Sequence, residues 1–273
     1  MRFSVLASGS TGNSLFVETD QTRVLVDAGL SCKQLEERLR KIGVDPTTLT
    51  AIFISHEHID HVKGLGVLAR RYQLPVYMNE ATWKHLPSSV GDIPECLKHV
   101  LETGASLEIR DLRVETIPVS HDAAEPVGFH FRQDEETLAI VTDLGYVNQR
   151  ITDQVSGVDT LIWESNHDVE MLRMGSYPWN VKRRILSDTG HLSNEDAGAA
   201  LAEILRGIGE HVYLAHLSRD NNLSELAHLT VKNILEETGL QVGRDVHLWP
   251  TYDDRPTPLR EVRCKAKGSP DLR

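Results

Sequence analysis

Residues 51–61 read Ala-Ile-Phe-Ile-Ser-His-Glu-His-Ile-Asp-His, an apolar run that gives way at once to three histidines and an aspartate. AIFIS has the length and composition of a strand, and VKGLGVLARRY beyond the cluster has the pattern of a helix. His56, His58, Asp60 and His61 therefore lie in a strand-to-helix loop. Imidazole nitrogen and carboxylate oxygen ligate zinc, and manganese or iron where more oxygen is supplied. Such a loop aims successive side chains in different directions, so His56 and His58 can serve one ion while Asp60 and His61 serve another. Six residues cannot close two coordination spheres, and the cluster demands further donors at other strand ends. His121 after RVETIPVS, Asp143 after TLAIVT and His216 after HVYLA supply them. Taken singly, each of these three reads more readily as a cap or a surface residue than as a ligand; together with the cluster they read as ligands.

Outward from that loop, FSVLA, SLFVET and TRVLVDA read as strands joined by turns at Gly9–Asn13 and Asp20–Gln21, a meander rather than a βαβ alternation. SCKQLEERLRKIG reads as a helix and PVYMN as a strand. From Lys98 to Asp143 the segments HVLE, SLEIRDLRVETIPVS, VGFHFRQ and TLAIVTD have strand character, with a turn at residues 134–136, so a second antiparallel set is expected. The strands DTLIWES, HVYLAHL and DVHLWP then alternate with the helices NEDAGAALAEILRGI and SELAHLTVKNILEETG. This order predicts an α/β (α+β) chain built as an αββα sandwich, two mixed β-sheets flanked by helices. With no repeat, low-complexity tract or Pro/Gly-rich linker, a single domain is expected over residues 1–263 and a flexible C-terminal tail over 264–273.

The 273 residues carry 40 acidic and 29 basic side chains, a net charge of -11, so no global basic field holds nucleic acid or an anionic membrane. Any polyanion must be met by a local patch. No apolar stretch reaches a membrane span and the opening residues lack the core of a signal peptide, which predicts a cytoplasmic protein without a membrane partner. The three cysteines, Cys32, Cys96 and Cys264, are odd in number and form no C-x-x-C pair, so neither a disulfide framework nor a thiolate zinc site is indicated.

Asp27, then His56, His58, Asp60 and His61, then His121, Asp143 and His216 resemble, in order and type, the motifs of the metallo-β-lactamase fold superfamily. That resemblance implies the metallo-β-lactamase fold and two divalent ions, Zn²⁺, Mn²⁺ or Fe²⁺. His56, His58 and His121 would bind one ion, Asp60, His61 and His216 the other, with Asp143 bridging. Asp27 would orient a ligand imidazole, or serve only as a cap before Gly29. An Asp bridge is similar to that of the superfamily's thioesterases and phosphodiesterases. A bridging hydroxide between two ions would be the nucleophile, and Asp60 would belong to the catalytic set.

His191 in GHLSNEDA and Glu164 in WESN resemble the His and Glu of tRNA 3′-processing endonucleases, where the His protonates the leaving oxygen and the Glu orients it. An alkoxide leaving from phosphorus needs that help and a thiolate needs far less. The stretches LASGSTGNS, LVDAGLSCKQLEERL, SHEHIDHVKGLGVLARRY, YPWNVKRRILSDTGHLSNEDA and AHLSRDNN look like the YycJ/WalJ-type DNA exonuclease subgroup. The resemblance implies a 5′-to-3′ DNA exonuclease, a hydrolase of phosphodiester bonds with a role in mismatch repair and DNA-repair proteins as partners. RNA stays open as a substrate. Two other classes also stay open, a glyoxalase II-like thioesterase and a metal-stabilised, non-catalytic binding protein. For substrate binding, Lys182, Arg183, Arg184 and Arg219 form a cationic set that reads either as a phosphate contact or as a solvated face. Ser10 and Asn13 lie in a donor-rich loop that reads as a phosphate cradle or as a tight turn.

Overall fold

The computed structural model describes residues 1–262. The expected tail, 264–273, lies outside the described residues. The strands are β1 (Arg2–Ala7), β2 (Ser14–Glu18), β3 (Arg23–Val26), β4 (Ala51–Phe53), β5 (Val76–Met78), β6 (Lys98–Val100), β7 (Ser106–Ile109) and β8 (Leu112–Pro118). They continue with β9 (Val127–Gln133), β10 (Glu136–Val141), β11 (Thr160–Glu164), β12 (Glu210–Ala215), β13 (Val246–Pro250) and β14 (Arg260–Glu261). The helices are α1 (Cys32–Lys41), α2 (Ile59–Val62), α3 (Leu65–Tyr72), α4 (Glu80–His85), α5 (Gln149–Val155), α6 (Val169–Met174), α7 (Trp179–Ile185), α8 (Asn194–Ile204) and α9 (Ser224–Glu237).

Among the described residues the strands form two seven-stranded sheets, ordered β14-β1-β2-β3-β4-β5-β6 and β13-β12-β11-β10-β9-β8-β7. Both are mixed: the first turns from antiparallel to parallel pairing at β3 and the second at β10. The period-two rule sets the layers. Phe3 and Val5, Val24 and Val26, and Ala51 and Phe53 point between the sheets, where they meet Phe129, Phe131, Leu138, Ile162 and Tyr213. The alternate residues Leu6, Leu25, Ile52 and Ile54 point outward onto Leu35 and Leu39 of α1 and Leu65 and Leu68 of α3. On the other side Ala139, Val141, Leu161 and Trp163 pack under α5, α8 and α9. Strands buried on both faces read as near-continuous apolar runs, as AIFIS does. The arrangement is the αββα sandwich of two mixed sheets that the order of elements predicts.

Local chemistry sets the boundaries. Ser31 and Gln34 form a reciprocal capping box at the start of α1, and Arg38, Arg40 and Lys41 crowd its last turn, where the helix dipole favours cations. The stretch SLEIRDLRVETIPVS is two strands, not one. Arg110 turns in left-handed backbone (φ 56°), and the Asp111 carboxylate takes the hydroxyls of Thr19 at 2.6 Å and Thr22 at 2.7 Å, pinning the hairpin to the β2–β3 turn. The short helices α4, α5 and α6 and the closing strand β14 carry too little periodic signal to stand out in the sequence. Among the described residues no helix is long and apolar enough to cross a membrane.

Candidate metal centre

Parallel strands deliver their C-terminal ends to one rim, and the donors collect there. Those of His56, His58 and His121 lie within 4.8 Å of one another, and so do those of Asp60, His61 and His216. Asp143 sits between the groups, with Oδ2 3.4 Å from His61 Nε2 and Oδ1 3.8 Å from His121 Nε2. Asp27, Asp143 and His216 each follow a strand in left-handed backbone (φ 61°, 60° and 57°), a costly conformation for residues with a Cβ. It breaks the strand's alternation at Asp143 and His216, which carry donors, and at Asp27, which backs His61. Gly29 lets the loops close: a Cβ there would lie 1.6 Å from the Asp60 carbonyl oxygen.

Carboxylates behind the rings fix their tautomers. Asp27 Oδ2 lies 2.8 Å from His61 Nδ1, and Asp27 also accepts from the Ser55 amide at 2.8 Å and the Ser55 hydroxyl at 2.9 Å. Ser55, absent from the sequence reading, then reaches His56 Nδ1 at 3.0 Å; its place just ahead of His56 was the available signal. Glu164 Oε1 lies 2.8 Å from His191 Nδ1 and 2.9 Å from His216 Nδ1, so one carboxylate orients two imidazoles. Glu164 Oε2 takes the amide of Leu144, next to Asp143, at 2.9 Å. The sequence motif gives Glu164 only His191 as its partner; His216 is a second one.

The electrostatics are those of a site made for positive charge. Burial alone would depress the His61 imidazole, and the carboxylates of Asp143, Asp27 and Asp60 outweigh it, raising the ring to about 9. Burial would likewise raise the Glu164 and Asp143 carboxyls, and the surrounding imidazoles pull both below the ordinary range. His56 is held well below its usual value by burial and by its imidazole neighbours. His56 Nε2, His216 Nε2 and Asp143 Oδ2 are buried without a hydrogen-bond partner among the described residues. Buried polar atoms are paired as a rule, so three orphans converging on one rim fit a cation. Nitrogen and oxygen donors without thiolate are the set that divalent transition metals accept. His167, buried with both ring nitrogens unpaired among the described residues, belongs to none of these donor groups.

A cleft of about 250 Å³ opens over the donors, walled by Ser10, Tyr177, Val181, Arg184, Ile185 and Ser218 together with His191. Of the expected substrate contacts, Ser10 and Arg184 line it. Arg184 pairs through both oxygens of Asp122, so its charge is shared. Asn13 faces the donors, its Nδ2 3.3 Å from Asp60 Oδ2 and 3.0 Å from His61 Nε2. Arg219 is paired with Asp253 at 2.7 Å, and Arg183 is exposed without an ion pair among the described residues. Lys182 is a correction: it is buried, and its Nζ donates to the Arg173 and Gly175 carbonyls at 2.7 Å each, closing the C-terminal end of α6 rather than meeting a phosphate.

Comparison with known proteins follows the same lines. A model of the β-lactamase superfamily domain matches residues 22–217. Over 262 residues the chain is 48% identical to a Bacillus anthracis protein named exodeoxyribonuclease YycJ, covering 96% of this chain and 99% of that one. It is 45% identical to the Streptococcus pneumoniae protein named exodeoxyribonuclease WalJ, covering 96% and 98%. The solved structure of the metallo-β-lactamase fold protein YhfI from Bacillus subtilis matches with a TM-score of 0.68 over 94% of this chain and 99% of that one, at 16% identity, which shows a shared fold. Sandwich, donor rim and sequence agree, and the chain belongs to the β-lactamase superfamily, in the family that holds the YycJ and WalJ proteins.

Proposed function

We propose that this chain is a metal-dependent nuclease, an exonuclease that shortens DNA from a 5′ end with two divalent cations held at the rim. The observation that carries the reading is the His191–Glu164 pair, 2.8 Å apart, with His191 facing the cleft above the two donor groups. The identity of 45–48% to proteins named exodeoxyribonucleases supports DNA as the polymer. In this reading His56, His58 and His121 hold one ion, Asp60, His61 and His216 hold the other, and Asp143 serves both. The ions, zinc, manganese or iron(II), supply Lewis acidity to a phosphate oxygen and lower the pKa of the attacking water.

The chain's own residues do the rest. Glu164 Oε1 accepts the Nδ1 proton of His191, which leaves Nε2 to deliver a proton to the departing sugar oxygen. The same oxygen holds Nδ1 of His216 and so commits its Nε2 to the donor group. Asp27 does this for His61. Ser10 and Arg184, at the cleft wall, would meet a flanking phosphate, and Arg183 and Arg219 would add charge for the rest of the strand. A thiolate leaves without a proton donor, so a glyoxalase II-like thioesterase would have no task for the His191–Glu164 pair. A role in DNA repair, repair-protein partners, a cytoplasmic place and one domain over residues 1–263 complete the reading.

The test is digestion of 5′- and 3′-labelled DNA and RNA, single- and double-stranded, with manganese or zinc. Release of the 5′ label as the first product, abolished by chelator, is expected. Hydrolysis of a glutathione thioester with no cleavage of any nucleic acid would overturn the proposal.

A further inference from the structure

Glu164 ends β11, and the three residues after it run between the loops that carry His191 and His216. On one side the Asn166 amide donates to the Leu192 carbonyl at 2.9 Å and the Asn194 amide to the His167 carbonyl at 2.8 Å. On the other the Ser165 amide donates to the Ala215 carbonyl at 3.0 Å, and the Ser218 amide to the Asn166 carbonyl at 2.8 Å. Asn166 Nδ2 adds a bond to the His216 carbonyl at 2.7 Å. The three segments holding Glu164, His191 and His216 are thus laced together behind the rim.

One side chain sits at the centre of the lacing. Asn222 Nδ2 lies 2.9 Å from the Ser165 carbonyl, 3.0 Å from the Asn166 carbonyl and 2.9 Å from Asn194 Oδ1. Its Oδ1 accepts from Asn194 Nδ2 at 3.0 Å and from the Leu223 amide at 2.9 Å. The Ser165 hydroxyl closes the knot on Asn194 Oδ1 at 2.6 Å. Ser165, Asn194 and Asn222 are all buried. Burying so many polar groups brings little net stability over a well-packed apolar plug, and what a satisfied network does supply is a single arrangement of its parts. Only a primary amide presents donors and an acceptor on one rigid plane, which is what two carbonyls and a facing amide require. Asn194 and Asn222 belong to GHLSNEDA and AHLSRDNN, stretches whose asparagines the metal and proton-transfer roles leave unexplained.

We propose that Asn222, acting through Asn194 and Ser165, is a positioning residue for the His191–Glu164 pair. The inference rests on the reading of His191 as proton donor to the leaving oxygen. Among the described residues the Asn222 side chain makes no hydrogen bond to the donor groups or to His191; it holds the segment of Glu164 in register with that of His191. A displacement near 1 Å at such a pair costs up to about 10²-fold in rate.

The experiment compares two substrates of the manganese-loaded enzyme. One is a 5′-phosphorylated oligodeoxynucleotide, whose departing alkoxide needs a proton. The other is p-nitrophenyl thymidine 5′-phosphate, whose phenolate leaves without one. Asn222→Ala is expected to lower kcat on the oligonucleotide about 10- to 100-fold, with KM and metal content unchanged and the nitrophenyl ester nearly unaffected. His191→Ala should show the same split, more strongly. If Asn222→Ala slows both substrates alike while His191→Ala separates them, the positioning role is wrong. If His191→Ala itself slows both alike, the proton-donor reading fails instead. Ser165→Ala removes one hydroxyl from the knot and serves should Asn222→Ala not fold; the same split at smaller amplitude is expected, and a rate ratio equal to that of the unaltered enzyme would overturn the proposal.

Discussion

Asp27 follows β3 in the first sheet and Asp143 follows β10 in the second, both in left-handed backbone (φ 61° and 60°), each beside the strand where its sheet changes from antiparallel to parallel pairing. From this common start the two halves of the site diverge. The first sheet draws His56, His58, Asp60 and His61 from one loop, and a single carboxylate behind them, Asp27, bonds Ser55 and His61. The second draws His121, Asp143, Glu164, His191 and His216 from separate segments; Glu164 bonds both His191 and His216, and the Asn222 knot ties the residues after Glu164 to Asn194. Neighbours in sequence need few long-range pins. Residues that meet only through the fold need many.

Removing Asp143, the residue between the halves, should have the largest effect. In our reading Asp143→Ala loses transition-state stabilisation of several kcal/mol, roughly 10³-fold or more in rate, together with bound metal. Elemental analysis beside label release from DNA checks it; full metal content at undiminished rate would remove Asp143 from the centre. Within the second half, His191→Ala should lower turnover by roughly 10²- to 10⁴-fold with metals retained. Loss of metal in that variant would make His191 a ligand.

In the first half the expected effect is smaller and of another kind. Asp27→Ala frees Nδ1 of His61 and should weaken metal binding about 10- to 100-fold, read by competition with a chromophoric chelator. The preference between good and poor leaving groups should stay as it was, because Glu164 and His191 are untouched.

The smallest effect on catalysis belongs outside both halves, in the helix layer over the first sheet. Glu36 accepts from Arg71, from Tyr72 at 3.0 Å and from Cys32 at 3.4 Å. Burial would raise this carboxyl, and those donors bring it below its ordinary 4.5. A depressed carboxyl stabilises the fold above its unfolded value and loses that contribution as pH falls through the folded one. Glu36→Gln should cost about 1 to 3 kcal/mol near neutral pH, a difference that shrinks in acid, with kcat unchanged. Denaturant melts at two pH values and a rate assay check it; an equal cost at both would deny the carboxylate its role.

The same contrast explains what the sequence makes legible. The His56–His61 loop is readable because chain connectivity alone brings its donors together. His121, Asp143 and His216 are readable one step further, as polar residues that end apolar strands. The second bond of Glu164 is not, since it depends on register: Glu164 pairs with Ala215 across parallel β11 and β12, and His216 comes next. Nor does the tripeptide Lys182–Arg183–Arg184 disclose that Lys182 turns inward to cap α6 while Arg184 stays at the cleft. Those outcomes are fixed by how α6 and α7 pack, and three adjacent cations look alike before that. The β7–β8 hairpin was hidden for a similar reason, because its turn is held by Asp111 against residues some 90 positions earlier in the chain.

Anomalous diffraction at the metal edge, from crystals grown with manganese or zinc, decides whether two ions sit at this rim. Two peaks about 3.5 to 4 Å apart are expected, one among His56, His58 and His121 and one among Asp60, His61 and His216, with an Asp143 oxygen toward each. A single peak, or metal bound away from this rim, would contradict it.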